Sequence, residues 1–98
     1  MKNINLDNFG PIISTKESGN KILKLINDGL KSNQQIQIDL NKIRSMATFC
    51  AKQIFGKLYV DLGSENFFER IEILNASDDL KSIIKIGIQS AIQENVIG

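Results

Sequence analysis

The sequence predicts a small α/β domain in which helices pack on a mixed, mostly parallel sheet. Apolar periods of two residues and of about 3.6 residues alternate along the chain, giving the order strand, helix, strand, helix, strand, helix. This order is typical of parallel strands joined by right-handed crossovers. The 98 residues are 42% apolar and 23% charged, and no linker or repeat divides them. We therefore expect one domain over residues 1–98 with one core.

A short strand and a helix open the chain. Apolar and polar residues alternate loosely over residues 3–9, which predicts a short or edge strand that ends at the Gly10-Pro11 break. Residues 14–17 read Ser-Thr-Lys-Glu and have the form of a capping box. Apolar residues at helical spacing follow. We expect a helix from about Thr15 to Leu30, with Gly29 in a left-handed conformation near its end.

The second strand and helix have the clearest patterns. Residues 36–40 read Ile-Gln-Ile-Asp-Leu, which predicts a strand with one buried face. An apolar stripe at helical spacing then predicts a helix from Met46 to Leu62 that ends at Gly63. The small residues Ala47 and Ala51 near its start are expected to let this helix approach the sheet closely.

A third strand and helix complete the pattern. Residues 64–66 predict a turn, after which Phe67 and Phe68 are expected to close one edge of the core. Residues 71–74 predict a short strand. Apolar residues from Leu80 to Ile92 recur at helical spacing and predict a final amphipathic helix.

Residue composition excludes the commonest catalytic chemistries. The chain has no His and one Cys, so it lacks Ser-His-Asp and Cys-His catalysis, histidine metal ligands, cysteine zinc clusters and internal disulfides. Asp78 and Asp79 follow Ser77, where a cap and two acids favour a helix start without any metal. No phosphate-binding glycine motif is present. We expect no enzymatic activity and no cofactor; an enzyme would have to use carboxylates, lysine or serine alone.

The single Cys50 favours a reducing cytoplasm, while charge and hydropathy argue against nucleic-acid and membrane partners. The 12 basic and 11 acidic residues are interspersed from Lys2 to Lys85, which is unlike the concentrated charge of a nucleic-acid binder. No apolar run approaches the ~20 residues that span a bilayer, and residues 1–10 lack the apolar stretch of a signal peptide. The single Cys50 lies on an apolar helix face and is expected to be an unreactive core thiol. We therefore expect neither nucleic acid nor membrane as a partner.

The junction between the second strand and the second helix carries the most informative residues. Ser45 or Thr48 lies where helix N–H groups would face an anion, and a phosphate on either hydroxyl would add about two negative charges. The simpler alternative is that the hydroxyl only caps the helix. Asp39 lies at the carboxyl end of the strand, where open α/β sheets place ligands, although its alternation favours a solvated residue.

Residues 38–51 at this junction resemble the central region of STAS domains, the fold of the anti-sigma factor antagonists. They read I-D-L-N-K-I-R-S-M-A-T-F-C-A, where those domains typically read D-L-S-G-V-x-x-M-D-S-S-G-L-G. Three further stretches resemble a subgroup, the STAS-like domains of unknown function: F-G-P-I-I-S-T-K-E-S-G-N-K-I, I-F-G-K-L-Y and F-F-E-R-I-E-I-L-N. The resemblance covers about residues 9–92.

The resemblance implies a bacterial α/β domain with a regulatory binding role. In the antagonists, a serine kinase of the histidine-kinase-like ATPase fold phosphorylates the second Ser of the D-S-S motif. Aligned without gaps, D-S-S-G falls on residues 47–50, so Phe49 occupies the phosphoacceptor position and the acid is absent. Thr48 would serve as acceptor only in a shifted register or with a changed mechanism. Lys16 stands where the resemblance leads us to expect Arg.

These observations favour a non-enzymatic protein–protein interaction module. Its partner is expected to be a histidine-kinase-like ATPase or a second copy of the chain. The alternative is a small-ligand or nucleotide-binding module with a concave site near Asp39 and Thr48. An exposed Phe49 favours the first hypothesis, because aromatic side chains anchor interfaces. The residues expected to form the interface are Lys16, Ser45, Met46, Thr48 and Phe49.

Overall fold

Three short parallel strands form the central sheet of the protein. The structure is a computed structural model and describes residues 1–97. Its strands and helices, in chain order, are β1 Lys2–Asn5, β2 Ile12–Ile13, α1 Lys16–Ser32, β3 Ile36–Asp39, β4 Ser45–Met46, α2 Thr48–Ala51, α3 Lys57–Leu62, α4 Ser64–Arg70, β5 Ile71–Leu74 and α5 Asp78–Ile97. The central sheet has the order β1-β3-β5, and β2 pairs with β4 in a second small sheet. Every strand pair in the described residues is parallel, which confirms the predicted α/β class.

Strand β3 is the centre of the core. Its Ile36 is in register with Lys2 and Ile71 on the two neighbouring strands. Ile36 and Ile38 are completely buried, as the alternating pattern predicts. Burial of an isoleucine side chain contributes roughly 1.5–3 kcal/mol, so these two side chains alone favour this register over a one-residue slip.

One continuous helix spans residues 48–62. It consists of α2, a π-helical stretch Lys52–Gly56 and α3. It begins two residues later than predicted, because residues 45–46 pair with β2 and the Ala47 N–H donates to the Ile13 carbonyl at 2.8 Å. It ends as predicted at Gly63, whose φ of +84° is a conformation that glycine adopts without strain.

Small residues bring helix 48–62 against α5 rather than against the sheet. A Cβ added to Gly87 of α5 would lie 2.6 Å from both the Ala51 carbonyl carbon and the Lys52 nitrogen. A Cβ added to Gly56 would lie 2.7 Å from the Ala91 Cβ. The prediction that Ala51 allows a close approach to the sheet is therefore wrong, because the element that Ala51 approaches closely is α5. The close contact is with another helix.

The ends of α1 differ from the sequence prediction. Thr15 caps the helix, since its Oγ1 accepts a hydrogen bond from the Ser18 N–H at 3.1 Å. The reciprocal Glu17 contact of a capping box is absent; Glu17 instead pairs with Lys21 at 3.1 Å. Gly29 lies inside the helix and is buried, and the helix continues to Ser32. Gly29 therefore serves packing against the sheet rather than helix termination.

The segment before β5 is helical where a turn was predicted. Helix α4 begins at Ser64 directly after Gly63, and its Phe67 is buried as expected. Phe68 is 70% exposed, so the prediction that it closes the core is wrong. Consecutive residues on a helix point about 100° apart, which is why only one of the two rings faces the core. Ser77 caps α5 as predicted, with its Oγ accepting from the Leu80 N–H at 3.1 Å.

Candidate functional site

The candidate site lies where the second helix begins. The pairing of β4 with β2 leaves Ser45 exposed and turns Met46 into the core at 2% exposure. Successive side chains on a strand point to opposite faces, so these two residues cannot both lie on one surface. Met46 therefore lies beneath the predicted interface instead of on it.

Phe49 is the most distinctive side chain at this junction. It is 53% exposed, although Cys50 and Ala51 directly after it are completely buried. Thr48 and Lys16 are also exposed. We call these four exposed residues the Phe49 surface: Lys16, Ser45, Thr48 and Phe49.

Neither predicted hydroxyl caps helix 48–62. The capping position is occupied by Ala47, whose side chain can form no hydrogen bond. Thr48 is the first residue inside the helix and Ser45 lies in β4. The interpretation of either hydroxyl as a simple cap is therefore wrong. Both are exposed polar groups beside the start of a helix.

Gln53 is a residue of this region that sequence reasoning missed. Its Nε2 donates to the Lys16 carbonyl at 3.0 Å and to Asn20 Oδ1 at 2.6 Å, which ties helix 48–62 to the first turns of α1. Its side-chain amide lies against Gly19, and Oε1 occupies the space that a Cβ on residue 19 would need. A glycine inside a helical pattern was the signal available in the sequence. It indicates that something approaches the backbone there, but not which residue.

Phe49 and Lys16 border a groove between α1, helix 48–62 and the end of α5. The groove has a volume of about 700 Å³. Its lining includes three lysines (Lys16, Lys52 and Lys57) and one acid, Glu94. Lys52 forms an ion pair with Glu94 across the groove, between helix 48–62 and α5.

Asp39 has a structural role at the carboxyl end of β3. Its Oδ1 accepts hydrogen bonds from the Asn41 N–H at 2.9 Å and from Asn75 Nδ2 at 3.0 Å. The residue is half-buried and lies off the fully buried face of Ile36 and Ile38, as the alternation predicts. These two bonds hold the loops that follow β3 and β5, and Asn75 has the positive φ of 59° that such a turn requires.

A second depression of about 500 Å³ lies near the same ends of the strands. It includes Asp7 after β1 and the basic side chains Lys42 and Arg44 after β3. Neither Asp39 nor Thr48 lines it. The two residues around which a ligand site was expected are therefore not brought together there.

Cys50 is buried, as predicted for a core thiol. Its Sγ lies 3.4 Å from the Thr15 carbonyl, close enough for a weak hydrogen bond. Burial raises the pKa of the Cys50 thiol. A thiol that resists ionisation is a poor nucleophile, so its environment favours packing over chemistry.

No group of three or more His, Cys, Asp or Glu side chains among the described residues could hold a metal ion. No helix within residues 1–97 is long and apolar enough to cross a membrane.

One comparison with known proteins gives a match. A family model described as a STAS-like domain of unknown function matches residues 18–81. This segment runs from the first turn of α1 to the first turn of α5 and includes the junction around Phe49. No curated protein and no solved structure matches the chain.

Proposed function

The chain belongs to the family of STAS-like domains of unknown function, and on that premise we propose that it is a cytoplasmic, non-enzymatic regulatory module that binds a protein partner. The binding site is the Phe49 surface. The observation that carries this proposal is the 53% exposure of Phe49. A large aromatic side chain that is exposed at the start of a helix packed tightly on α5 is well suited to anchor an interface.

The resemblance to anti-sigma factor antagonists suggests the kind of partner. We propose an ATPase of the histidine-kinase-like fold, with a second copy of this chain as the other candidate. Phe49 stands where the antagonists carry the phosphorylated serine, so binding here would not depend on a phosphate at that position. Phosphorylation of the neighbouring Thr48 or of Ser45 would add about two negative charges and weaken an apolar contact.

A small-ligand or nucleotide-binding module is the second candidate function. The depression beside Lys42 and Arg44 favours it, because open α/β sheets bind ligands beyond the carboxyl ends of their strands. The two functions make different predictions. Ligand binding in the depression would be lost on Arg44→Ala, whereas partner binding at the Phe49 surface would be unaffected by that change.

The proposal is tested by pull-down of the tagged chain from its native host, followed by mass spectrometry. The test variant is Phe49→Asp and the control is Phe68→Asp. Phe68 is the more exposed of the two rings at 70%, and it lies on α4 outside the groove. We expect Phe49→Asp to lose a partner that wild type and Phe68→Asp retain. Circular dichroism verifies that both variants are folded. The same partners with all three proteins, or none with wild type, would contradict the proposal.

A further inference from the structure

We propose that the groove beside Phe49 binds an acidic amphipathic helix of the partner protein. This inference rests on the proposed function, since it specifies the chemistry of the segment that contacts Phe49. It extends the site from the helix start into the groove between α1, helix 48–62 and α5.

Apolar contact is available along the groove. Phe49 is half-exposed, and Leu23, Val60 and Ala91 are half-buried side chains that also line the groove. These residues come from three different helices. A concave surface with helical walls accepts the apolar face of another helix, whose side chains recur every three to four residues. An extended strand would instead need an open sheet edge, and none of the three walls offers one.

The charge of the groove selects an acidic occupant. Three lysines line it against one glutamate. Lys52 is paired with Glu94, and Lys57 is paired with Asp61 at 3.3 Å on the exposed side of α3. Lys16 has no ion pair among the described residues. It also lies in the first turn of α1, where the helix dipole disfavours a cation. A carboxylate on the partner would relieve that repulsion.

Lys16 is placed so that a substitution there tests whether the partner segment is acidic. The carbonyl of the same residue accepts the Gln53 hydrogen bond at 3.0 Å, so the backbone that carries Lys16 is tied to helix 48–62. Lys16 and Phe49 line the same groove. One helix could therefore contact both, with its apolar face on Phe49 and a flanking carboxylate on Lys16.

The test uses two fluorescein-labelled peptides of roughly 18 residues, about five helical turns. Both carry leucines on one face; one carries glutamates on the other face and its match carries lysines. Fluorescence anisotropy measures binding to wild type, Lys16→Glu, Phe49→Asp and the control Lys85→Glu. Lys85 is exposed on α5 and does not line the groove, so Lys85→Glu makes the same change of charge elsewhere.

We expect wild type and Lys85→Glu to bind the glutamate peptide. Lys16→Glu should bind it about fivefold to tenfold more weakly, with a smaller salt dependence. Phe49→Asp should lose binding. Three outcomes would overturn the proposal: equal binding of the lysine peptide, equal affinity of Lys16→Glu and wild type, or no binding of the glutamate peptide at ~1 mM. Displacement of the bound peptide by phosphatidylglycerol vesicles that themselves bind wild type would also overturn it, in favour of a lipid surface.

The pull-down separates this inference from the proposed function. If Phe49→Asp loses the partner and Lys16→Glu keeps it with undiminished recovery at low and high salt, the protein-binding function stands and the acidic helix is wrong. If Phe49→Asp keeps the partner, the proposed function itself is wrong. Loss with both variants, together with retention by Lys85→Glu, supports both.

Discussion

Two regions of helix 48–62 differ in packing: one side is in tight contact with α5, and the start of the helix is exposed to solvent at Phe49. On the side of α5, Gly87 and Gly56 leave no space for even one methyl group. At the helix start, Phe49 is 53% exposed and borders an open groove. The tight contact fixes the helix, and the open end presents an aromatic ring on that fixed support. In one helix, therefore, the tightly packed residues and the exposed aromatic residue proposed to bind a partner are different.

The π-helical stretch Lys52–Gly56 connects these two regions. Within it, Ile54, Phe55 and Gly56 are buried in succession, while Gln53 reaches across to α1. Within this stretch the helix contacts α1 through the Gln53 side chain and α5 at Gly56. Such turns are frequent at functional sites, and this one lies directly after the Phe49 surface.

The largest expected effect is on the free energy of unfolding, in a comparison of two phenylalanines of helix 48–62. Phe55 is completely buried and Phe49 is half-exposed. Phe55→Ala should lower the free energy of unfolding by about 3–5 kcal/mol, because it removes buried apolar surface and leaves a cavity. Phe49→Ala should change it by no more than ~0.5 kcal/mol. Urea unfolding followed by circular dichroism measures both. Comparable losses would mean that Phe49 supports the fold instead of a partner.

A smaller loss of stability is expected when one methyl group is added at the contact between α5 and helix 48–62. In Gly87→Ala the new Cβ would lie 2.6 Å from the backbone of helix 48–62, so one helix must move away. Overpacking should outweigh the better helix propensity of alanine and cost about 1–3 kcal/mol.

Gly29→Ala is the matched control for the same exchange in another helix. There the nearest atom is Ile4 Cδ1 at 3.3 Å, the end of a flexible side chain. The stability should therefore change by less than about 1 kcal/mol in either direction. A larger loss for Gly29→Ala than for Gly87→Ala in urea unfolding would show that the contact with α5 is not the tighter one.

The smallest expected effect on the free energy of unfolding comes from a comparison of the two threonines at the starts of α1 and helix 48–62. Thr15 caps α1 through a hydrogen bond of 3.1 Å, whereas the cap of helix 48–62 is Ala47 and Thr48 is already inside the helix. Thr15→Ala should lower the free energy of unfolding by about 1 kcal/mol. Thr48→Ala should lower it by at most ~0.5 kcal/mol. Chemical unfolding again measures the two values. An equal loss in Thr48→Ala would reveal a stabilising role for its hydroxyl.

Strand β3, the Ser77 cap and much of the core could be predicted because they depend on local patterns, whereas the predicted caps of helix 48–62 were wrong. The alternation in residues 36–40 and the Ser77 cap both appear in the structure as expected. The exposure of Phe49 could only be tested, not predicted, because an apolar residue in an amphipathic helix is equally compatible with the core. The same ambiguity explains Phe68, which was expected to be buried. Gln53 could not be recognised because its partners lie more than 30 residues away in the sequence.

Without the structure, the sequence already predicts the α/β class and the family, and it shows that these 98 residues contain no histidine and no internal disulfide. These follow from periodicity, composition and motif resemblance, which are properties of neighbouring residues. The folded structure was needed to show which side of helix 48–62 packs on α5, that Met46 is buried, and that Phe49 and Lys16 border one groove. Each of these depends on contacts between segments that are distant along the chain, and local patterns do not specify which segments meet.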